Sequence, residues 1–352
     1  MWSENRADDI AAKLAALRQK PTLRFAFLPS NETGSIQYFS KDLAADLVTL
    51  KPKGYEFMSA SQGLAGCDIA VVTTHGLDLS AALWEMQQAA DRTLIAVWLW
   101  DNHLARMNNL KTALAADLIF PSHWYQAAYL VNPASVLACH VPSCCAQWTT
   151  QQARQLFESG ADAARHDKLL ASYVDYTFSW RSALLNKMKT DVPEAEVILM
   201  PPEDRSRYFG KSPDERFREW LSYKASLVLP VQRDLSTRVF DALLAGQVIV
   251  VPKAISDFDD VIPPEIQRRL GILRLTDPEI PTIRKFAVQA VDVFNRSGME
   301  GARERHAYAI ANHMLVNRLE AMLDFITKTT LGMAPRFYRD PEKGFGLSFV
   351  PK

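Results

Sequence analysis

The chain is poor in cysteine and has no excess of either charge. Its 352 residues include only Cys67, Cys139, Cys144 and Cys145, and 40 Lys+Arg stand against 40 Asp+Glu. No Cys-x-x-Cys pair occurs, so a zinc ribbon or a thioredoxin-like motif has no support, and a reduced, cytosolic chain fits best. Without a basic excess, a dedicated nucleic-acid binder is disfavoured. The longest apolar stretch, Leu94–Trp100, is far below the ~20 residues a spanning helix needs. The opening MWSENRADDIAAKLAALRQK lacks the apolar core of a signal peptide. These absences predict a soluble, cytoplasmic protein with no transmembrane segment, and they leave open a peripheral contact with the inner face of a membrane. Neither G-x-G-x-x-G nor G-x-x-x-x-G-K-[ST] occurs, so nicotinamide-dependent redox chemistry and P-loop hydrolysis lose support.

What is present is ordinary globular material, 48% apolar and 23% charged. At roughly 150 residues per domain, the length suggests two domains. Short apolar runs alternate with helical patterns: Leu23–Leu28, Asp68–Thr73, Thr93–Trp100, Asp117–Phe120 and Val136–Val141, then Val174–Phe178, Glu196–Met200, Ser226–Val231, Gln247–Val251 and Gly271–Leu275. Most are continuously apolar, as in strands buried on both faces of a parallel sheet. Strand–helix–strand repetition predicts an α/β fold with two Rossmann-like domains. The boundaries read as an N-terminal helix (1–20), an N-terminal domain (21–146), a polar linker (147–165), a C-terminal domain (166–300), and helices with an element-free tail (301–352).

The most informative stretch is Ser226–Pro252. A strand is followed by the polar loop Gln232–Leu235, an N-cap candidate at Ser236, and a helix stopped by Gly246. The start of such a helix offers free N–H groups and a positive dipole end. Arg238 adds a charge there, and Asp241 lies three residues on, on the same helix face. A cation suited to diphosphate beside a carboxylate suited to ribose hydroxyls points to a nucleotide-sugar; the alternative is a weak surface ion pair.

The string STRVFDALLAGQVIVV resembles the donor-site helix of glycosyltransferases with two facing Rossmann-like domains, the GT-B fold. It is most similar to the exostosin-type and spore-maturation-type groups. Asp117–Trp124 (DLIFPSHW) and Tyr173–Leu185 (YVDYTFSWRSALL) resemble the end of the acceptor domain and the start of the donor domain. The resemblance implies transfer of a sugar from a nucleotide-diphospho-sugar to a glycan, lipid-linked or protein acceptor, with no cofactor and no essential metal. Many retaining members carry two glutamates eight positions apart; here those places hold Arg233 and Asp241. The candidate donor ligands are Ser236, Thr237, Arg238, Asp241, Arg181, Arg233 and Lys187. The broken acidic pair keeps a catalytically inactive binding or scaffold protein in view, as well as a same-fold epimerase or phosphorylase.

A transferase also needs a base near the acceptor. Asp101, His75 and His103 follow strand ends and are the candidates. Asp101 as a plain helix cap is the competing role. The D-x-D string Asp257–Asp259 reads as helix capping, and Trp98 and Trp100 read as core packing.

Overall fold

The computed structural model describes residues 6–28, 39–59, 63–73, 79–101, 105–130, 132, 135–176, 179–204, 206–328, 333–340 and 344–351. The chain divides into two compact units: Met1–Gly34, Lys41–Pro142 and Val316–Lys352 form unit 1, and Ser35–Ser40 with Ser143–Leu315 form unit 2.

Unit 1 holds β1 (Leu23–Leu28), β2 (Tyr55–Met58), β3 (Ile69–Thr73), β4 (Leu94–Leu99), β5 (Leu118–Pro121) and β6 (Val136–Leu137). They form a parallel sheet in the order β2-β1-β3-β4-β5-β6. No residue of β4 is more than 1% exposed, which is why its sequence is apolar without alternation. Trp98 is buried in this core, with Trp100 edge-on to it at 4.9 Å. The start of the sheet is fastened by charge. Buried Asp117 accepts from the Ile95 N–H at 2.8 Å and from Lys13 Nζ at 2.9 Å, which docks the helix Arg6–Leu17. The helix Leu315–Lys328 closes the other flank, where the Tyr55 hydroxyl donates to Asp324 at 2.8 Å and Phe120 meets Phe325 edge-on.

Unit 2 holds β7 (His166–Val174), β8 (Ala195–Met200), β9 (Tyr223–Leu227), β10 (Val248–Pro252) and β11 (Leu273–Leu275). This second parallel sheet runs β11-β10-β9-β7-β8. The chain goes from β7 outward to β8 and returns to place β9 on the other side of β7. The strand order therefore reverses between β7 and β9, the position where open α/β sheets bind ligands.

The structure departs from the sequence reading at several places. The strand expected at Val174–Phe178 is β7, which runs His166–Val174 and is buried from Leu169 to Val174 except at Ser172; Asp175 and Tyr176 lie beyond it, and Thr177 and Phe178 lie outside the described residues. The polar segment read as a linker carries the helix Thr150–Gly160, started by a Thr149/Gln152 capping box and belonging to unit 2. Helical residues Ile280–Asn312 are broken at Gly298 (φ 56°, ψ −154°). The tail read as element-free pairs β12 (Met333–Asp340) with β13 (Gly344–Pro351) as an antiparallel hairpin in unit 1. The short strand β2 gave no sequence signal.

Candidate functional site

The site grows from the ends of β7 and β9. Tyr173, fully buried near the end of β7, donates its hydroxyl to Leu227 O at 2.8 Å and accepts from Leu229 N–H at 2.7 Å. This holds the two strands in register at the point where the sheet order reverses. Two helices then start from the two strand ends. Helix Trp180–Asp191 is capped by Ser179, and helix Thr237–Leu244 by Ser236, whose side chain accepts from Arg238 N–H.

Each helix contributes an arginine in its first turn, and both arginines meet the Tyr173 ring. The guanidinium of Arg181 lies 4.5 Å from the ring centroid and that of Arg238 lies 4.7 Å from it. Arg181 is buried, reaching the carbonyls of Leu229 and Val174 at 3.3 and 3.4 Å, while its Nε has no partner. Arg238 is half-buried and donates from Nε to Ser172 O at 3.1 Å. Among the described residues neither makes a direct ion pair with a carboxylate, although the Asp234 charge acts on Arg181 from further off. Burial and the neighbouring Arg238 charge hold the Arg181 guanidinium below its ordinary value. Two adjacent cations at two helix N-termini make a strongly positive point built to receive an anion.

Asp241 lies one turn further into the second helix and is buried, only 4% exposed. Its Oδ2 accepts from Gln147 Nε2 at 3.4 Å, Gln147 in turn donates to the Tyr208 hydroxyl at 3.1 Å, and Oδ1 has no hydrogen-bond partner. Burial pushes the carboxyl up to about 7, against the pull of Arg238, the Cys145 thiol and Arg216. Near neutral pH such a group can both donate and accept. The far end of the helix is closed by two arginines and a histidine that burial holds towards its neutral form. Leu244 O accepts from His306, Ala245 O from Arg165, and Gly246 O from Arg305.

The structure thus brings Ser236, Thr237, Arg238, Asp241 and Arg181 together at one end of unit 2. Arg233 lies three residues before Ser236 in the loop after β9, and Lys187 lies further along the helix that carries Arg181. Arg233 is exposed and donates to Ala254 O at 3.2 Å. Lys187 is exposed and six residues beyond Arg181, about 9 Å further along the helix axis. Asp101 follows β4 with φ 46°, uncommon for a non-glycine residue, and its carbonyl accepts from Ala105 N–H at 2.8 Å. His75 and His103 lie outside the described residues. Among the described residues no group of His, Cys, Asp and Glu could hold a metal ion. Asp257 occupies an N-cap position without a side-chain capping bond, and Asp259 pairs with Arg274.

Sequence reasoning missed Tyr173, Gln147 and Tyr208 as site members. Tyr173 stands just before the expected strand Val174–Phe178, and Gln147 lies in the segment read as linker. A buried glutamine beside a helix carboxylate has no one-dimensional signal.

No protein-family model and no curated protein matches the chain. Solved structures match it in fold. It is similar to the α,α-trehalose 6-phosphate synthase of Burkholderia multivorans, with TM-score 0.50 and 8% identity over 88% of this chain and 99% of that one. It is also similar to an α-glucosyltransferase solved with UDP and a 13-mer DNA containing a HMU base, with TM-score 0.57 and 11% identity over 87% and 100%. A third match is the sucrose-phosphate synthase of Thermosynechococcus elongatus, with TM-score 0.51 and 10% identity over 86% and 98%. At such identities the likeness is one of fold: two parallel-sheet α/β domains and a C-terminal helical segment that match the GT-B-like fold of glycosyltransferases.

Proposed function

We propose that the chain is a glycosyltransferase that takes its sugar from a nucleotide-diphospho-sugar held at the β7/β9 end of unit 2. The observation that carries this is the pair Arg181 and Arg238 on one tyrosine ring, where the strand order reverses, with neither arginine in a direct ion pair among the described residues although Asp234 lies near enough for its charge to act on Arg181. Glycosyl transfer leaves negative charge on the departing diphosphate, and preorganised cations and helix N–H groups stabilise charge that develops in the transition state. Arg238, the more accessible of the two, contacts the diphosphate, and Arg181 supplies field from behind it. No metal is needed in this scheme. Asp241, on the inner side of the same helix, serves the donor's hydroxyls. Asp101 receives the acceptor proton; its left-handed backbone after β4 is the kind of outlier that clusters at functional sites. His75 and His103 are the alternative bases.

A second reading rests on Arg233. It stands at the place of the first acid of the resembled family's pair, exposed and bonded to a backbone carbonyl. A protein that keeps the donor site without transferring the sugar would look like this. Incubation with UDP-, GDP-, CMP- and dTDP-sugars, following both binding and nucleotide release, separates the two. Binding with release supports the transferase, and binding without release in the presence of varied acceptors supports the binding protein. No binding of any nucleotide-sugar sinks both.

A further inference from the structure

Trp180 opens the helix that carries Arg181, directly after the Ser179 cap. Trp98, Trp100, Trp148 and Trp220 are all at most 5% exposed, whereas Trp180 is 42% exposed; Trp84, on a helix of unit 1, is the other exposed tryptophan among the described residues, at 58%. Its indole is nevertheless held in place. Nε1–H donates to Val231 O at 3.0 Å. Trp180 belongs to the segment after β7 and Val231 to the segment after β9, so the ring spans the gap at which the strand order reverses. The hydrogen bond occupies the only polar group of the side chain, so what remains open is aromatic and apolar surface. Leaving that surface in water is unfavourable, and a ring already held in place loses little freedom when something covers it.

We propose that Trp180 is the stacking platform for the nucleobase of the donor. This rests on the nucleotide-sugar reading above. The two arginines beside it address charge, and the indole addresses a flat, neutral group. A nucleobase presents a whole π-face and asks for no hydrogen bond from the surface beneath it. A sugar ring carries hydroxyls that need partners, and this indole has no donor left to give. Stacking of this kind tolerates any base, so Trp180 strengthens binding without selecting among nucleotides.

The test is calorimetry of inorganic pyrophosphate, UDP, GDP and ADP against the wild type, Trp180→Ala and Trp180→Phe, with thermal melting of each variant. Trp180→Ala should weaken whichever nucleoside diphosphate binds by about five- to hundredfold and leave pyrophosphate affinity unchanged. Trp180→Phe, which keeps a ring face and loses the Val231 bond, should retain most of the affinity. Equal weakening of pyrophosphate and nucleotide, or a phenylalanine variant as weak as the alanine one, would show a role in loop geometry and overturn the proposal. Unchanged nucleotide affinity in Trp180→Ala would overturn it while the donor-site reading stands. A wild type that binds pyrophosphate but no nucleoside diphosphate would remove both.

Discussion

Arg238 and Asp241 stand three residues apart on one helix and form no ion pair. Arg238 turns to the Ser172 carbonyl and the face of Tyr173, while Asp241 turns inward to Gln147. The cation is left available to an anion, and the acid is held where its charge is poorly solvated. The two side chains therefore report on different things, one on ligand charge and the other on pH.

The pH effect has a definite sign. Burial raises the Asp241 carboxyl from 3.8 to about 7, so the folded chain holds a proton there that the unfolded chain releases. Below about pH 4 both states are protonated and nothing is lost. As pH rises towards 7 the fold loses stability, by roughly 2–4 kcal/mol at about 1.4 kcal/mol per unit. Asp241→Asn removes this titration. In urea unfolding, the variant should gain on the wild type between pH 4.5 and pH 8. A difference in stability that stays constant over that range would contradict the buried-acid account.

Arg238→Ala should weaken binding of a nucleoside diphosphate by about ten- to hundredfold, the worth of one charge-assisted hydrogen bond of ~1.5–3 kcal/mol. Arg238→Lys should recover part of it, because the point charge is kept and the planar fork is lost. Melting should move little, since Arg238 has no carboxylate partner to strand. Calorimetry at two salt concentrations checks this. An alanine variant with wild-type affinity would place the diphosphate elsewhere.

Gly246 ends the same helix at φ 71°, and a Cβ there would meet Ala302 O at 2.8 Å and Phe157 at 2.9 Å. Gly298, at φ 56°, has nothing within 4 Å of that position. Both alanine variants carry backbone strain, but only Gly246→Ala adds a steric clash. Gly298→Ala should cost about 1–3 kcal/mol, because φ 56° with ψ −154° is essentially a glycine-only conformation, and Gly246→Ala more still, because its clash adds to the strain. Similar melting temperatures for the two would refute the packing argument.

Lys13→Ala should lower the stability of unit 1 by about 3–5 kcal/mol, because it leaves the Asp117 carboxylate, fully buried, without its cation. Lys13→Arg should restore a good part of the loss. Chemical denaturation of the two variants decides the matter, and an alanine variant as stable as the wild type would refute the stabilising role of this ion pair.

Most of the strands were legible because buried parallel strands such as Leu94–Leu99 are apolar without interruption, but the order in which they pair was not. The helix Thr237–Leu244 was legible because its Ser cap and Gly246 stop are local signals. The end of β7 was not, since strand pairing decides it and Thr177 and Phe178 are as β-prone as the residues before them. The inward turn of Asp241 was equally hidden. Helical spacing places Arg238 and Asp241 on one face, but the partners that separate them, Tyr173 and Gln147, come from elsewhere in the chain.

Unit 1 is assembled from both sides of unit 2 in the sequence, with the helix Leu315–Lys328 supplying Asp324 to Tyr55 and Phe325 to Phe120. On the ribosome, then, the first hundred or so residues emerge without the helix that finishes their own core. Nearly all of unit 2 is contiguous and can close as soon as it is made, so the later-translated body matures first. The earlier one must wait with an open flank until the helix Leu315–Lys328 has been made.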